Sequence, residues 1–182
     1  MADGDSGTVV EPFMFDVPDH HLAPLEEGGF ALRAGNREPI RVQPVAGGWQ
    51  VNGPPPVQGW TLRRGETAAV RFELRTSGVG EPKGRTMPLA GDRDAAVHYV
   101  LLDDGRLFRV VMRGPRDSRF EMLGWETPGA YLVARPRSEG WTIAAMPACG
   151  GLQEIQSLLV LFAAEILDAE DLMPGADEKS DG

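Results

Sequence analysis

The stretch that decides the fold is the run LLVLFAA at positions 158–164, which is apolar on every face of a helix. Polar residues that include Gln153, Gln156 and Ser157 precede the run, and Pro174 follows it, so we predict a helix over residues 152–171. A helix whose middle has no polar face cannot lie on the surface of a monomer in water. It is therefore either enclosed by a sheet or forms a seam between subunits.

Strand signals dominate the sequence before this helix. Each of the four tryptophans follows a glycine, at positions 48, 59, 124 and 140, and three of these pairs continue with alternating apolar and polar or small residues. Residues 70–75 read VRFELR, in which apolar and charged residues alternate as in a strand with one face in water. The four residues DDGR at 103–106 predict a hairpin turn between two apolar segments.

Further pairings complete the predicted fold. We expect residues 30–33 to pair with 40–42, residues 130–134 to pair with 141–145, and residues 76–95 to form a long loop rich in glycine and proline. The sequence therefore predicts a mainly β (α+β) fold, an antiparallel β barrel or sandwich with one buried hydrophobic C-terminal helix.

The charge is unevenly distributed along the 182 residues. The net charge is −9, but residues 1–27 carry −7 and residues 165–182 carry −6, so residues 28–164 carry +4. We expect residues 1–12 and 174–182 to be disordered acidic tails that flank a single β-rich domain over residues 13–173. The negative total argues against a nucleic-acid partner.

Composition excludes several other classes. One cysteine cannot form an internal disulfide, no apolar run approaches the length of a transmembrane helix, and the first residues do not resemble a secretory signal. We therefore expect a cytoplasmic protein. No phosphate-binding glycine loop, CxxC pair or HExxH motif is present, so we expect no cofactor.

The order of elements resembles the tubby C-terminal and phospholipid-scramblase-like superfamily. Residues 157–168 are similar to the buried helix of that family, and the predicted strand pairs over 29–42 and 99–112 are similar to its hairpins. The resemblance implies a closed β barrel threaded by the helix. It also implies association with membrane lipid or phosphoinositide, or a regulatory role, rather than an enzyme activity.

Three sets of residues are candidates for function. Cys149 lies just before the helix, where backbone amides stabilise a thiolate, although a small residue in a tight turn is the simpler explanation. The cluster of Asp19, His20 and His21 has metal-binding side chains but also fits an acidic surface turn.

The third set is a group of arginines on neighbouring strands. It could form an anion-binding patch for lipid headgroups or for the acidic tails, or it could be an ordinary solvated face; it consists of Arg63, Arg64, Arg71 and Arg75. Three acids at the unfavourable end of the helix dipole should be paired with arginines of the domain or be functional: Asp168, Glu170 and Asp171.

These observations favour a non-enzymatic binding or regulatory module that binds a protein partner or membrane lipid. One alternative is a cysteine-dependent enzyme or thiol sensor that uses Cys149. The other is a structural subunit that assembles into an oligomer through the apolar run at 158–164.

Overall fold

The computed structural model describes residues 20–67, 69–76, 81–88, 97–113, 119–124, 130–137, 140–145 and 151–172. Within these ranges the chain forms twelve β-strands and then one α-helix, α1, at Leu152–Leu172. In chain order the strands are β1 His20–Pro24, β2 Phe30–Ala34, β3 Ile40–Val45, β4 Gly48–Asn52, β5 Trp60–Arg64, β6 Phe72–Arg75, β7 Gly84–Pro88, β8 Val97–Leu102, β9 Leu107–Arg113, β10 Arg119–Gly124, β11 Ala130–Arg137 and β12 Gly140–Ala145.

The strands form one closed antiparallel barrel. Each strand pairs with its neighbours in sequence, and β1 closes the barrel by pairing with β12, where Leu22 lies opposite Trp141. The prediction of a mainly β fold with one C-terminal helix is confirmed, and the barrel is the correct choice between barrel and sandwich. The pairing of β1 with β12 leaves no free sheet edge among the described strands.

The predicted hairpins are present. Phe30 pairs with Val42, β8 and β9 pair on either side of the turn at 103–106, and β11 pairs with β12. Two expectations were wrong. Residues 84–88 form β7 rather than part of a loop, and His20 and His21 begin β1 rather than lying in a surface turn.

One of the glycines that precede aromatic residues is required because two neighbouring strands approach each other closely there. Gly29 has a φ of 84°, and a Cβ atom at this position would lie 2.1 Å from the carbonyl oxygen of Val42 on the neighbouring strand. Glycine alone fits such a backbone crossing. The aromatic residue that follows, Phe30, then starts β2 and packs against the core.

Alternate residues of the strands point into the barrel and surround α1. The largest side chains that are fully buried in this core include Trp60, Phe72, Phe108, Leu62, Leu74 and Met122 from the strands and Leu158, Leu161 and Phe162 from the helix. All seven residues of the run at 158–164 are at most 3% exposed. The sheet of a single chain therefore encloses the run, so no surface of it is left exposed to form a seam between subunits.

The helix lies off the barrel axis, closest to β5, β6 and β7. A Cβ atom on Gly84 of β7 would lie 2.6 Å from Cδ1 of Leu161, so the strand needs a residue without a side chain here. This contact explains why β7 begins with a glycine. No helix in the described ranges combines the length and the apolar character that a bilayer crossing requires.

Candidate functional site

The two ends of α1 lie at opposite mouths of the barrel and have different surroundings. We call the end near Leu152 the N-terminal mouth and the end near Asp168 the C-terminal mouth. Polar side chains at the C-terminal mouth form a buried ionic cluster, which consists of Arg71, Thr86, His98, Glu165 and Asp168.

The alternation of inward and outward residues along the strands explains which barrel side chains belong to this cluster. His98 alternates with Val100 and Leu102 on the inner face of β8, and Thr86 alternates with Gly84 on the inner face of β7. Arg71 immediately precedes β6, and its backbone N–H donates to the carbonyl oxygen of Thr86. Three neighbouring strands therefore direct polar groups at the last turns of α1.

Arg71 is the centre of the cluster. Its Nη1 lies 2.8 Å from Nδ1 of His98 and 3.6 Å from Oε2 of Glu165, and its Nη2 forms an ion pair with Asp168. Arg64 adds a second cation 3.7 Å from Asp168. The expectation that Asp168 pairs with arginines of the domain is confirmed.

Burial drives two groups of the cluster toward their neutral forms. It raises the pKa of Glu165, which is 1% exposed, and the neighbouring Thr86 hydroxyl and Arg71 guanidinium oppose part of that rise. Burial and then the charge of Arg71 lower the pKa of His98 to about 4. Neither carboxyl oxygen of Glu165 has a hydrogen-bond partner among the described residues.

The cluster therefore contains one fixed ion pair, Arg71 with Asp168, beside a histidine and a carboxylic acid whose charged forms are disfavoured. The side chains of His98 and Glu165 are 5% and 0% exposed, so a dissolved substrate does not reach them in this structure. The arrangement holds the last turns of α1 against β6, β7 and β8.

The N-terminal mouth contains a cavity of about 350 Å³, which we call the mouth pocket. Aliphatic side chains make up most of its wall, from β2, β3, the loop after β4 and the first turns of α1: Leu32, Ile40, Pro54, Pro55, Ile155 and Leu159. Its rim carries His21, Arg33, Arg37 and Glu38. This volume lies at the lower end of the range of about 300–1,000 Å³ typical of small-molecule sites.

One polar side chain lines the mouth pocket below this rim. Gln156 of α1 is 8% exposed, and its Oε1 atom has no hydrogen-bond partner among the described residues. A buried polar atom without a partner is destabilising by about 1–3 kcal/mol. The apolar wall of the pocket therefore contains a buried hydrogen-bond acceptor that the described residues leave without a partner.

A smaller cavity of about 190 Å³ lies beside the start of the helix. Three of its charged groups pair with one another, because Arg106 forms ion pairs with Asp104 and Glu154. The backbone N–H of Arg106 also donates to Oδ1 of Asp104 at 3.0 Å. These contacts fix the hairpin turn against α1 and leave no unsatisfied charge among them for a ligand.

The four arginines predicted as an anion patch do not share one face. Arg64 and Arg71 lie at the C-terminal mouth, where both contact Asp168, and Arg64 also lies over the rings of Trp49 and Phe72. Arg63 and Arg75 lie on the outer wall, where Arg75 pairs with Glu73 at 2.7 Å. The period-two alternation of β5 separates Arg63 from Arg64.

The other predicted site residues are placed only in part. Cys149 and Asp19 lie outside the described residues, as do both predicted acidic tails, and His21 lies on the rim of the mouth pocket. Within the described ranges, no group of three or more His, Cys, Asp or Glu side chains is arranged to hold a metal ion. A thiol function for Cys149 stays a prediction.

Sequence reasoning missed Glu165, His98 and Gln156. His98 could have been found, because it shares the alternation of the apolar Val100 and Leu102 that face the core. Glu165 was grouped with the acidic C-terminal segment, although the next residue, Ile166, is apolar and fully buried.

Comparison of the chain with protein-family models, with curated proteins and with solved structures found no match. The described residues form a closed twelve-strand antiparallel barrel around one C-terminal helix. The function of the protein is therefore inferred from its own side chains.

Proposed function

We propose that the protein is a non-enzymatic binding module, and that it holds a small amphipathic molecule such as a single-chain lipid in the mouth pocket. The observation that carries this proposal is an apolar cavity of about 350 Å³ with one unpartnered, buried amide, Gln156, in its wall. Ligand sites typically combine a mostly apolar lining with a few polar groups that orient the ligand.

The wall of the mouth pocket favours a lipid-like body over a polar metabolite. Eight of its lining residues are aliphatic or proline, and one of these, Leu152, is 48% exposed at its edge. An apolar chain that covers Leu152 and fills the pocket would remove this surface from water, which is favourable by about 25 cal/mol for each Å².

The burial and ion pairs of the described residues weaken the alternative functions. The assembly hypothesis relied on an exposed apolar run, and the sheet covers residues 158–164 completely. The lipid-headgroup patch relied on four free arginines, of which Arg64, Arg71 and Arg75 already contact carboxylates. Binding of a protein partner, and membership of the tubby and scramblase-like superfamily, stay predictions, because a barrel fold does not by itself assign a function.

A matched pair of variants tests the proposal. Ala34 lines the mouth pocket at the end of β2, and Ala23 is also half-buried but lies in β1 away from the pocket. The Ala34→Phe substitution should fill the cavity with an aromatic ring, whereas Ala23→Phe adds the same ring elsewhere. The probe is Nile red, a neutral apolar dye whose fluorescence reports transfer out of water.

We expect saturable binding of one dye molecule by the unmodified protein and by Ala23→Phe, and loss of this binding in Ala34→Phe. Circular dichroism of each protein verifies that the barrel is folded. Equal binding by both variants, or no saturable binding by the folded unmodified protein, would refute the proposal.

A further inference from the structure

The polar groups of the mouth pocket lie at different depths, and their order from the rim inward indicates which polar groups a ligand should carry. Arg33 and Arg37 are exposed on the rim, whereas Gln156 is more than nine-tenths buried in the wall. We propose that the mouth pocket selects an anionic single-chain amphiphile that carries a hydrogen-bond donor between its head group and its chain. This inference rests on the function proposed above, and it names the chemical class of the ligand.

The rim favours an anionic head group. Neither Arg33 nor Arg37 forms an ion pair with another described residue, so both guanidinium groups are available to a carboxylate or a phosphate monoester. Glu38 is the only acidic side chain in the lining, so the two arginines outnumber it. Guanidinium groups bind both kinds of anion through paired hydrogen bonds.

Gln156 requires a donor that lies deeper than this head group. Its unpartnered Oε1 is buried in the wall and accepts hydrogen bonds, so a hydroxyl or amide N–H of a ligand that reached it would satisfy it. The remaining wall is aliphatic and accepts the chain. A 3-hydroxy fatty acid has these three parts in the required order, and an N-acyl amino acid has them as well.

The experiment compares four probes below their micelle-forming concentrations by isothermal titration calorimetry on the full-length protein. Dodecanol, dodecanoate and dodecyl phosphate differ in their head groups, and 3-hydroxydodecanoate adds the donor to dodecanoate. We expect both anions to bind more tightly than dodecanol. We expect 3-hydroxydodecanoate to bind about fivefold more tightly than dodecanoate, which corresponds to one neutral hydrogen bond.

Variants assign each preference to its side chains. The double substitution Arg33→Gln with Arg37→Gln should weaken binding of the anions about threefold to thirtyfold and leave dodecanol unaffected. The control changes the net charge equally on the outer wall, by Arg41→Gln with Arg63→Gln, and should have a much smaller effect. Gln156→Met should bind dodecanoate and 3-hydroxydodecanoate equally.

The outcomes separate this inference from the proposed function. If dodecanol binds as tightly as dodecanoate and the rim variants change nothing, the pocket is apolar only, and the inference fails while the proposed function survives. If the preference for the hydroxyl group persists in Gln156→Met, the assignment of the donor to Gln156 is wrong. If none of the four probes binds the folded protein, both proposals fail.

Discussion

Acidification from pH 7 to pH 4 should weaken the barrel through one side chain, His98. Burial and the charge of Arg71 lower the pKa of this histidine from 6.5 to about 4 in the folded protein. The unfolded chain therefore takes up the proton first as the pH falls. The stability that neutral His98 provides is fully present above pH 6.5 and is lost between pH 6.5 and pH 4.

The size of this loss follows from the shift in pKa. Each unit corresponds to about 1.36 kcal/mol, so the change from 6.5 to about 4 corresponds to about 3 kcal/mol of unfolding free energy. A domain of this kind is stable by only about 5–15 kcal/mol, so the loss is large enough to measure. The physical reasons are the burial of the ring and then the positive charge of Arg71, whose Nη1 lies 2.8 Å from Nδ1 of His98.

Urea unfolding of the unmodified protein and of His98→Gln, at intervals between pH 7.5 and pH 4, tests this prediction. Glutamine retains an oxygen that accepts from Arg71 but does not titrate. Glu165 contributes with the opposite sign, because its raised pKa makes the folded state bind a proton more tightly and so increases stability as the pH falls. That contribution is present in both proteins, so their difference reports His98.

We expect the unmodified protein to lose about 3 kcal/mol more than His98→Gln over this range. A difference between the two proteins that stays constant with pH would refute the reasoning. So would a nuclear magnetic resonance titration in which the His98 ring takes up its proton near pH 6.5.

Two further substitutions test the packing of the helix. Glu165→Met should raise the free energy of unfolding at pH 7 by about 1–3 kcal/mol. It removes a buried carboxyl group that has no hydrogen-bond partner among the described residues, while Arg71 keeps its ion pair with Asp168. A loss of stability in the same urea series would show instead that the carboxylate stabilises the fold through Arg71. Gly84→Ala should cost about 1–3 kcal/mol, because its Cβ atom would lie 2.6 Å from Cδ1 of Leu161. Gly151→Ala has no atom within 4 Å of its Cβ and loses only the preference for glycine at the N-cap of α1, so it should cost less than about 1 kcal/mol. Equal thermal unfolding midpoints for the two glycine variants would contradict this close contact.

The sequence predicts the core of this fold because local patterns carry it. The apolar run at 158–164 has no polar face, so its burial follows from its composition. The turn at 103–106 contains an Asp-Gly pair, and the hairpin it predicts between β8 and β9 is present. Both signals lie within a few residues of the structure that they specify.

The closure of the barrel is not encoded in this local way. It depends on the pairing of β1 with β12, in which His21 lies opposite Thr142, more than a hundred residues away in the chain. Among the residues of β1 whose burial the structure describes, only Leu22 is fully buried, so this strand has a weak alternation signal. Likewise β7 begins with Gly84, whose missing side chain makes room for Leu161, and the same glycine makes the segment resemble a loop.

The candidate site is even less local, because each part of it joins distant elements. The buried ionic cluster needs Arg71 beside β6, His98 in β8 and Glu165 in α1, and no spacing in the sequence predicts that they meet. Prediction of the four-arginine patch failed for a related reason. Adjacent residues of a strand point to opposite faces, so Arg63 and Arg64 could not both belong to it.

The two mouths differ in what a ligand would have to displace, and this difference favours the N-terminal mouth for the proposed binding function. At the C-terminal mouth, a ligand anion would compete with Asp168, which already pairs with Arg64 and Arg71. At the N-terminal mouth, the wall of the apolar cavity contains Gln156, whose Oε1 atom is buried and has no partner among the described residues, so a ligand donor that reached it would add a hydrogen bond and break none there. At the C-terminal mouth the carboxyl group of Glu165, which has no hydrogen-bond partner among the described residues, is fully buried, and an anion would have to displace Asp168 from its arginines. A ligand at the N-terminal mouth breaks no such ion pair.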